Sequence, residues 1–262
     1  MNLPIYQVDA FTDGPFTGNP AAVVPLDQWL PDETLQKIAE ENNLSETAFF
    51  VKDGDGYHIR WMTPQVEVDL CGHATLASSH IIWEMLGHSK DVINLTCRIG
   101  ALSVSRDQDV YTLNFPSDTL DPRPELVTKV ADAIGMPVLE VLQGRNDLVA
   151  LISSEDEVLN LQPDFAKVKT LKGRGLLVTA KGKDQYDFVS RGFFPLTGID
   201  EDPATGSAHT TLTPYWASKL GKTTFKACQL SARRGHFACT LKGDRTLISG
   251  KAHLFLKGEI YI

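Results

Sequence analysis

Basic side chains are in the minority here: 25 lysines and arginines face 33 aspartates and glutamates, for a formal net charge of -8. A nucleic-acid binder draws much of its affinity from neutralising phosphates and carries a basic surface. The one tight basic pair, Arg233-Arg234, is too little for that, so no nucleic-acid partner is expected. No run approaches the roughly 20 apolar residues needed to span a bilayer, so no membrane partner is expected either. The first residues, Met1 to Asp13, contain Asp9 and Asp13 but no lysine or arginine, and read as a first strand rather than a signal peptide. Cysteines number only 4 and are scattered, at Cys71, Cys97, Cys228 and Cys239, with no CxxC. They read as reduced thiols of a cytoplasmic protein. The histidines show no i,i+4 pair and no carboxylate-flanked ligand spacing, so the sequence predicts no metal. Neither GxGxxG nor the full GxxxxGKS/T pattern occurs (Gly221-Lys222-Thr223 lacks the upstream glycine, position 216 being Trp216), and proline interrupts Gly14-Pro15-Phe16-Thr17-Gly18. With no cradle for a dinucleotide or nucleoside triphosphate, no cofactor is expected.

What is present belongs to an ordinary globular chain. The 262 residues are 42% hydrophobic and 22% charged, and can form one large domain or two modest ones. Strand-like stretches lie at Ile5–Phe11, Ala21–Val24, Thr47–Val51, Tyr57–Met62, Val92–Leu95, Ala101–Val104 and Tyr111–Phe115. Further ones lie at Leu148–Ile152, Leu176–Ala180 and Tyr186–Phe194, and the tail from Leu247 to Ile262 is strand-like throughout. Leu35, Ile38 and Ala39 recur at helical spacing after Pro31-Asp32, with Asn42-Asn43 as a left-handed cap. A second helix is read over 125–134. The segment 116–124 holds three prolines and reads as a linker. It divides the chain into domains at 1–116 and 117–262, with a final strand that could cross back to the first.

A distant internal echo runs through this pattern. Arg60-Trp61-Met62-Thr63-Pro64 precedes Gly72-His73-Ala74, and Arg191-Gly192-Phe193-Phe194-Pro195 precedes Gly206-Ser207-Ala208. From each glycine a helix-compatible stretch runs, over the same distance, to a closing Leu-Gly pair at Leu86-Gly87 or Leu220-Gly221. The ordered set suggests two copies of one strand–loop–helix unit, hence two similar halves and a site shared between them.

The two loops feeding those helices hold the candidate chemistry: Asp69-Leu70-Cys71-Gly72-His73-Ala74-Thr75 and Asp202-Pro203-Ala204-Thr205-Gly206-Ser207-Ala208. A helix start presents N–H groups and partial positive charge, and glycine lets a carboxylate or phosphate approach it closely. The competing explanation is that Gly72 and Gly206 allow close packing while Asp69 and Asp202 cap the helices. His73 sits in a first turn, where the dipole disfavours imidazolium and a neutral ring can both donate and accept a proton. Glu46, at the mouth of the apolar strand Thr47–Val51, has surroundings that favour a carboxyl keeping its proton, as a general acid must. Cys71 stands beside a helix start, which can activate a thiol. Its counterpart is Thr205, so a two-thiol racemase pair is missing.

Several blocks, in order from residue 6 to about 208, resemble the PhzF-like phenazine-biosynthesis family. They are Val8-Asp9-Ala10-Phe11-Thr12, Phe16-Thr17-Gly18-Asn19-Pro20-Ala21-Ala22-Val23, Ser45-Glu46-Thr47-Ala48-Phe49, the Asp69–Thr75 block and Asp202–Ser207. The resemblance implies an α+β, diaminopimelate epimerase-like fold: two similar domains, each a barrel-like β-sheet around a central helix, with the active site in the cleft between them. It further implies Glu46 as general acid/base, with His73 and Asp202 as its catalytic companions. Asn19, Gly72, Thr205, Gly206 and Ser207 would bind the substrate. The implied function is a cofactor-independent isomerase moving a proton on a small, cyclic carboxylate, working as a homodimer. Two alternatives stay open: an epimerase or racemase of an amino or hydroxy acid using Cys71, and a non-catalytic small-molecule or protein-binding relative.

Overall fold

A computed structural model describes residues 1–262. The first part of the chain forms β1 (Asn2–Thr12), β2 (Asn19–Leu26), α1 (Asp32–Asn42), β3 (Thr47–Asp53), β4 (Gly56–Met62), β5 (Glu67–Val68) and α2 (Gly72–Glu84). It continues through β6 (Val92–Cys97), β7 (Gly100–Asp107) and β8 (Val110–Pro116). Next come β9 (Asp121–Pro122), α3 (Val127–Ile134), β10 (Glu140–Gln143), β11 (Leu148–Leu151), α4 (Glu155–Leu159) and α5 (Phe165–Val168). The rest comprises β12 (Leu176–Lys181), β13 (Phe188–Phe194), β14 (Ile199–Asp202), α6 (Gly206–Leu220), β15 (Thr224–Gln229), β16 (Gly235–Lys242) and β17 (Arg245–Tyr261). The chain divides into two compact units, Met1–Asn114 with Ser249–Ile262, and Phe115–Ile248.

In the first unit the sheet closes on itself. β1 lies antiparallel to β2 and β17, β2 runs parallel to β3, β3 antiparallel to β4, and β4 parallel to β6. Antiparallel pairs β6–β7 and β7–β8 follow, and the pairing of β8 with β17 completes an eight-stranded barrel. Through its middle runs α2, which has no polar stripe: from Gly72 to Trp83 every residue except His80 is buried. A helix buried all round must sit inside the sheet rather than on it. Ser78 and Ser79 fit that interior because each hydroxyl donates back to a helix carbonyl, at 2.8 Å. Outside the barrel lies α1, with Asp32 and Glu33 at its positive end and Leu35, Ile38 and Ala39 facing the sheet. Asn43, at φ 48°, caps it, its N–H donating to the Ala39 carbonyl at 3.2 Å.

The second unit repeats the plan. β10–β11 are antiparallel, β11–β12 parallel, β12–β13 antiparallel, β13–β15 parallel and β15–β16 antiparallel, the same alternation as β1–β2–β3–β4–β6–β7. Here α6 is the central helix. Its Trp216 indole donates to Thr179 of β12 at 3.0 Å and stacks on Phe188 of β13, and His209 stacks on Phe237 of β16. The helix tolerates Pro214 because the Thr210 carbonyl, which a residue 214 N–H would otherwise engage, accepts from Asp118 N at 3.1 Å. The echoed arginines do equivalent work. Arg60 forks onto Glu67 of β5 at 2.9 and 2.8 Å, and Arg191 onto Glu201 of β14 at 2.7 and 2.8 Å.

Some local readings move. The segment 116–124 contains β9, which pairs with β10, and Arg123 N donates to Val141 O at 2.8 Å, so it is not a bare linker. The helix read over 125–134 starts as a 3-10 turn, Pro124–Leu126, and becomes α-helical only from Val127. The strand read from Tyr186 begins at Phe188, because the Tyr186 N–H is spent in a turn to Lys183 O at 3.1 Å.

Candidate active site

Glu46 lies between α1 and β3, and its carbonyl accepts from Ala22 N at 3.2 Å, which ties the loop to β2. Its carboxylate Oε2 stands 3.3 Å from Nε2 of His73, in the first turn of α2. The side chains are 14% and 5% exposed, so the pair is almost out of water and its interaction is correspondingly strong. On the opposite edge of the ring, Nδ1 meets Nδ2 of buried Asn19 at 3.2 Å and Sγ of Cys71 at 3.5 Å. With both groups donating to Nδ1, the ring proton would sit on Nε2, on the Glu46 side of the ring. Asn19 reaches this point because Gly18, at φ +74°, turns the chain where a Cβ would lie 2.4 Å from the Ala10 carbonyl oxygen.

Cys71 is the N-cap residue of α2, and Thr205 is that of α6; neither helix start has a side-chain cap bond. Asp69 does not cap its helix: it is exposed and paired with Arg98. Asp202 does not cap either. The Thr205 hydroxyl donates to its Oδ2, and both residues are buried. Gln229, at the end of β15 and 1% exposed, fixes this loop from below. Its amide donates to Asp202 O at 2.6 Å and lies 3.1 Å from Thr205 Oγ1, while its Oε1 accepts from Thr205 N at 2.8 Å. The Thr205 carbonyl accepts from His209 Nδ1 at 2.9 Å, as the Cys71 carbonyl accepts from Thr75 Oγ1 at 2.5 Å, one helical turn on in each case. Complete burial pulls the His209 imidazole down to about 4, so it is neutral at physiological pH. Ser207 receives a 3.3 Å hydrogen bond from Arg174, whose guanidinium also grips Asp147 at 3.0 and 2.6 Å.

Within the first unit the structure thus brings together Asn19, Glu46, Gly72 and His73. Within the second it groups Asp202, Thr205, Gly206 and Ser207. Sequence reasoning missed Gln229 and Arg174 as supports of the second loop. Neither stands in a recognisable motif; the parallel pairing of β13 with β15 delivers Gln229 to the loop.

The sequence model of the family described as "Phenazine biosynthesis-like protein" matches residues 8–258. An uncharacterized isomerase of Pseudomonas aeruginosa is 50% identical, with the match covering 100% of both chains. A phenazine biosynthesis protein of the PhzF family from Enterococcus faecalis superposes with a TM-score of 0.96 at 44% identity, again covering 100% of both chains. The fold extends further, to a hydroxyproline epimerase from Agrobacterium vitis with a TM-score of 0.62 at 10% identity, covering 99% of this chain and 92% of the other.

Proposed function

The chain belongs to the phenazine biosynthesis-like family and is an isomerase, and we propose that it shifts a proton on a small cyclic carboxylate with Glu46 as the acid/base group. The observation that carries this reading is the near-buried contact between Glu46 Oε2 and His73 Nε2 at 3.3 Å. As a base, the Glu46 carboxylate accepts a proton from an activated C–H bond, whose electron pair moves into the adjacent π system. As an acid, Glu46 returns that proton to a different carbon, so the enzyme ends as it began and the substrate leaves as an isomer. His73, with Nε2 3.3 Å from the carboxylate, is the close polar neighbour that steadies the charged state of the cycle. Asp202 is assigned to the same reaction through the family resemblance. Asn19, Gly72, Thr205, Gly206 and Ser207 are assigned to substrate binding, with no cofactor in the cycle. The reading also takes the working enzyme to be a cytoplasmic homodimer.

Proton exchange in deuterium oxide, followed by NMR across cyclic and amino carboxylates, tests it. Glu46→Gln should lose roughly 10²–10⁴ of turnover, the usual worth of a positioned base. Exchange in that variant equal to the native protein's would defeat the proposal. The Cys71–His73 contact at 3.5 Å favours one second reading, an epimerase using Cys71. Loss of α-hydrogen exchange in Cys71→Ser, with Glu46→Gln still active, would select it.

A further inference from the structure

The atoms around His73 have a property that proton transfer does not require. One donor atom from each of Glu46, Cys71 and His73 lies within 4.8 Å of the others, and the three are a carboxylate oxygen, a sulfur and an imidazole nitrogen. Zinc prefers this mixture, at about 2.3 Å to sulfur and about 2.0–2.1 Å to nitrogen or oxygen. Two such bonds at a tetrahedral angle hold sulfur and nitrogen about 3.5 Å apart. Sγ of Cys71 and Nδ1 of His73 stand at 3.5 Å. Nδ1 already faces the thiol, so the ring need not flip to take an ion, which would displace the Asn19 amide now 3.2 Å from the same nitrogen. The Glu46 carboxylate, now 3.3 Å from Nε2, has to swing towards the Nδ1 edge to supply the third ligand, which leaves a fourth position for water. Hard cations such as Mg²⁺ or Ca²⁺ do not suit a site with one carboxylate and a thiolate. The other buried thiols, Cys228 and Cys239, are poor competitors, because burial pushes them up to about 11 and about 12.

We propose that Cys71, His73 and Glu46 form a binding site for a divalent cation of the zinc type, and that the bound ion turns the enzyme off. The second half rests on the isomerase reading, since the ion takes the same carboxylate and imidazole that proton transfer uses.

Cobalt titration of the full chain tests the site without recourse to activity. Co²⁺ bound here should give a thiolate-to-metal charge-transfer band together with the visible bands of a four-coordinate ion, and Zn²⁺ should bleach both. Cys71→Ser should remove the charge-transfer band and weaken binding at least tenfold, whereas Cys97→Ser should leave both unchanged. No such band in the native protein, or an unchanged band in Cys71→Ser, would overturn the site. With the site occupied, deuterium exchange should stop and return on adding a chelator. Undiminished exchange at full occupancy would overturn the off-switch. Absence of exchange in the metal-free protein would instead count against the isomerase reading, leaving the cobalt result to decide the site.

Discussion

His209 is completely buried, neutral, stacked on Phe237 at 3.7 Å between ring centroids, and committed through Nδ1 to the Thr205 carbonyl. In the unfolded chain its imidazole takes up a proton near 6.5, and in the folded chain only near 4. Between those values the unfolded state binds more protons, so stability rises with pH across the window, is fully present above 6.5 and is lost as pH falls towards 4. A shift of this size corresponds to about 3 kcal/mol over the whole window. Urea titrations at pH 7 and pH 5 should therefore show a drop of which about 2 kcal/mol belongs to this one side chain. His209→Gln should flatten the profile by that amount, and an equally steep profile in the variant would show that the histidine is not the cause. The same residue marks what sequence could not deliver. It is one of seven histidines in a chain without ligand spacing, and nothing local distinguishes it from His88, which is only half-buried. His73 was legible because it follows a glycine at a helix start, and Glu46 because it opens an apolar strand.

At the scale of the element, the turn between β1 and β2 has little freedom. Gly18 has φ +74°, and an added Cβ would also lie 3.0 Å from Thr12 Cβ. Gly18→Ala should cost roughly 1–3 kcal/mol in a urea melt from backbone strain, before relief of the clash is counted. It should also displace Asn19 from His73, which a lowered exchange rate at saturating substrate would report. A stable, fully active alanine variant would mean that the turn relaxes freely. Elements with strong local signals were readable. These include α1 with its Asn43 cap, the two helices opening at Gly72 and Gly206, and the long final strand. Those missed lacked such signals. The strand β10 has only four residues, and α4 and α5 have five and four. The strands β15 and β16 flank Arg233-Arg234, and their buried Phe225, Ala227, Phe237 and Cys239 are apolar residues spaced two apart rather than a long apolar run. The echoed Arg60 and Arg191 were visible as a pattern, but their partners Glu67 and Glu201 became evident only with the hairpins that face them.

For the molecule as a whole, the last strand is the decisive piece. β17 pairs with β1 along the length of β1, from Asn2 opposite Tyr261 to Thr12 opposite Lys251, and the Thr112 hydroxyl meets that of Ser249 at 2.7 Å. Deleting Ser249–Ile262 would strip β1 of one partner and open the eight-stranded barrel around α2. A newly exposed edge of that length invites aggregation. The truncated chain should lose the cooperative unfolding of its first unit, seen by urea melting and near-ultraviolet circular dichroism. A soluble product with an unchanged melt would show that seven strands suffice.

The position of β17 also sets an order of events on the ribosome. Residues 1–114 emerge first, yet their barrel lacks a stave until residues 249–262 have been made, after the whole of 115–248. At about 5–20 residues per second that interval is on the order of ten seconds. The half synthesised first is thus the half completed last, and during the wait its α2, buried on nearly every side in the finished barrel, is the segment for which a nascent-chain chaperone would compete.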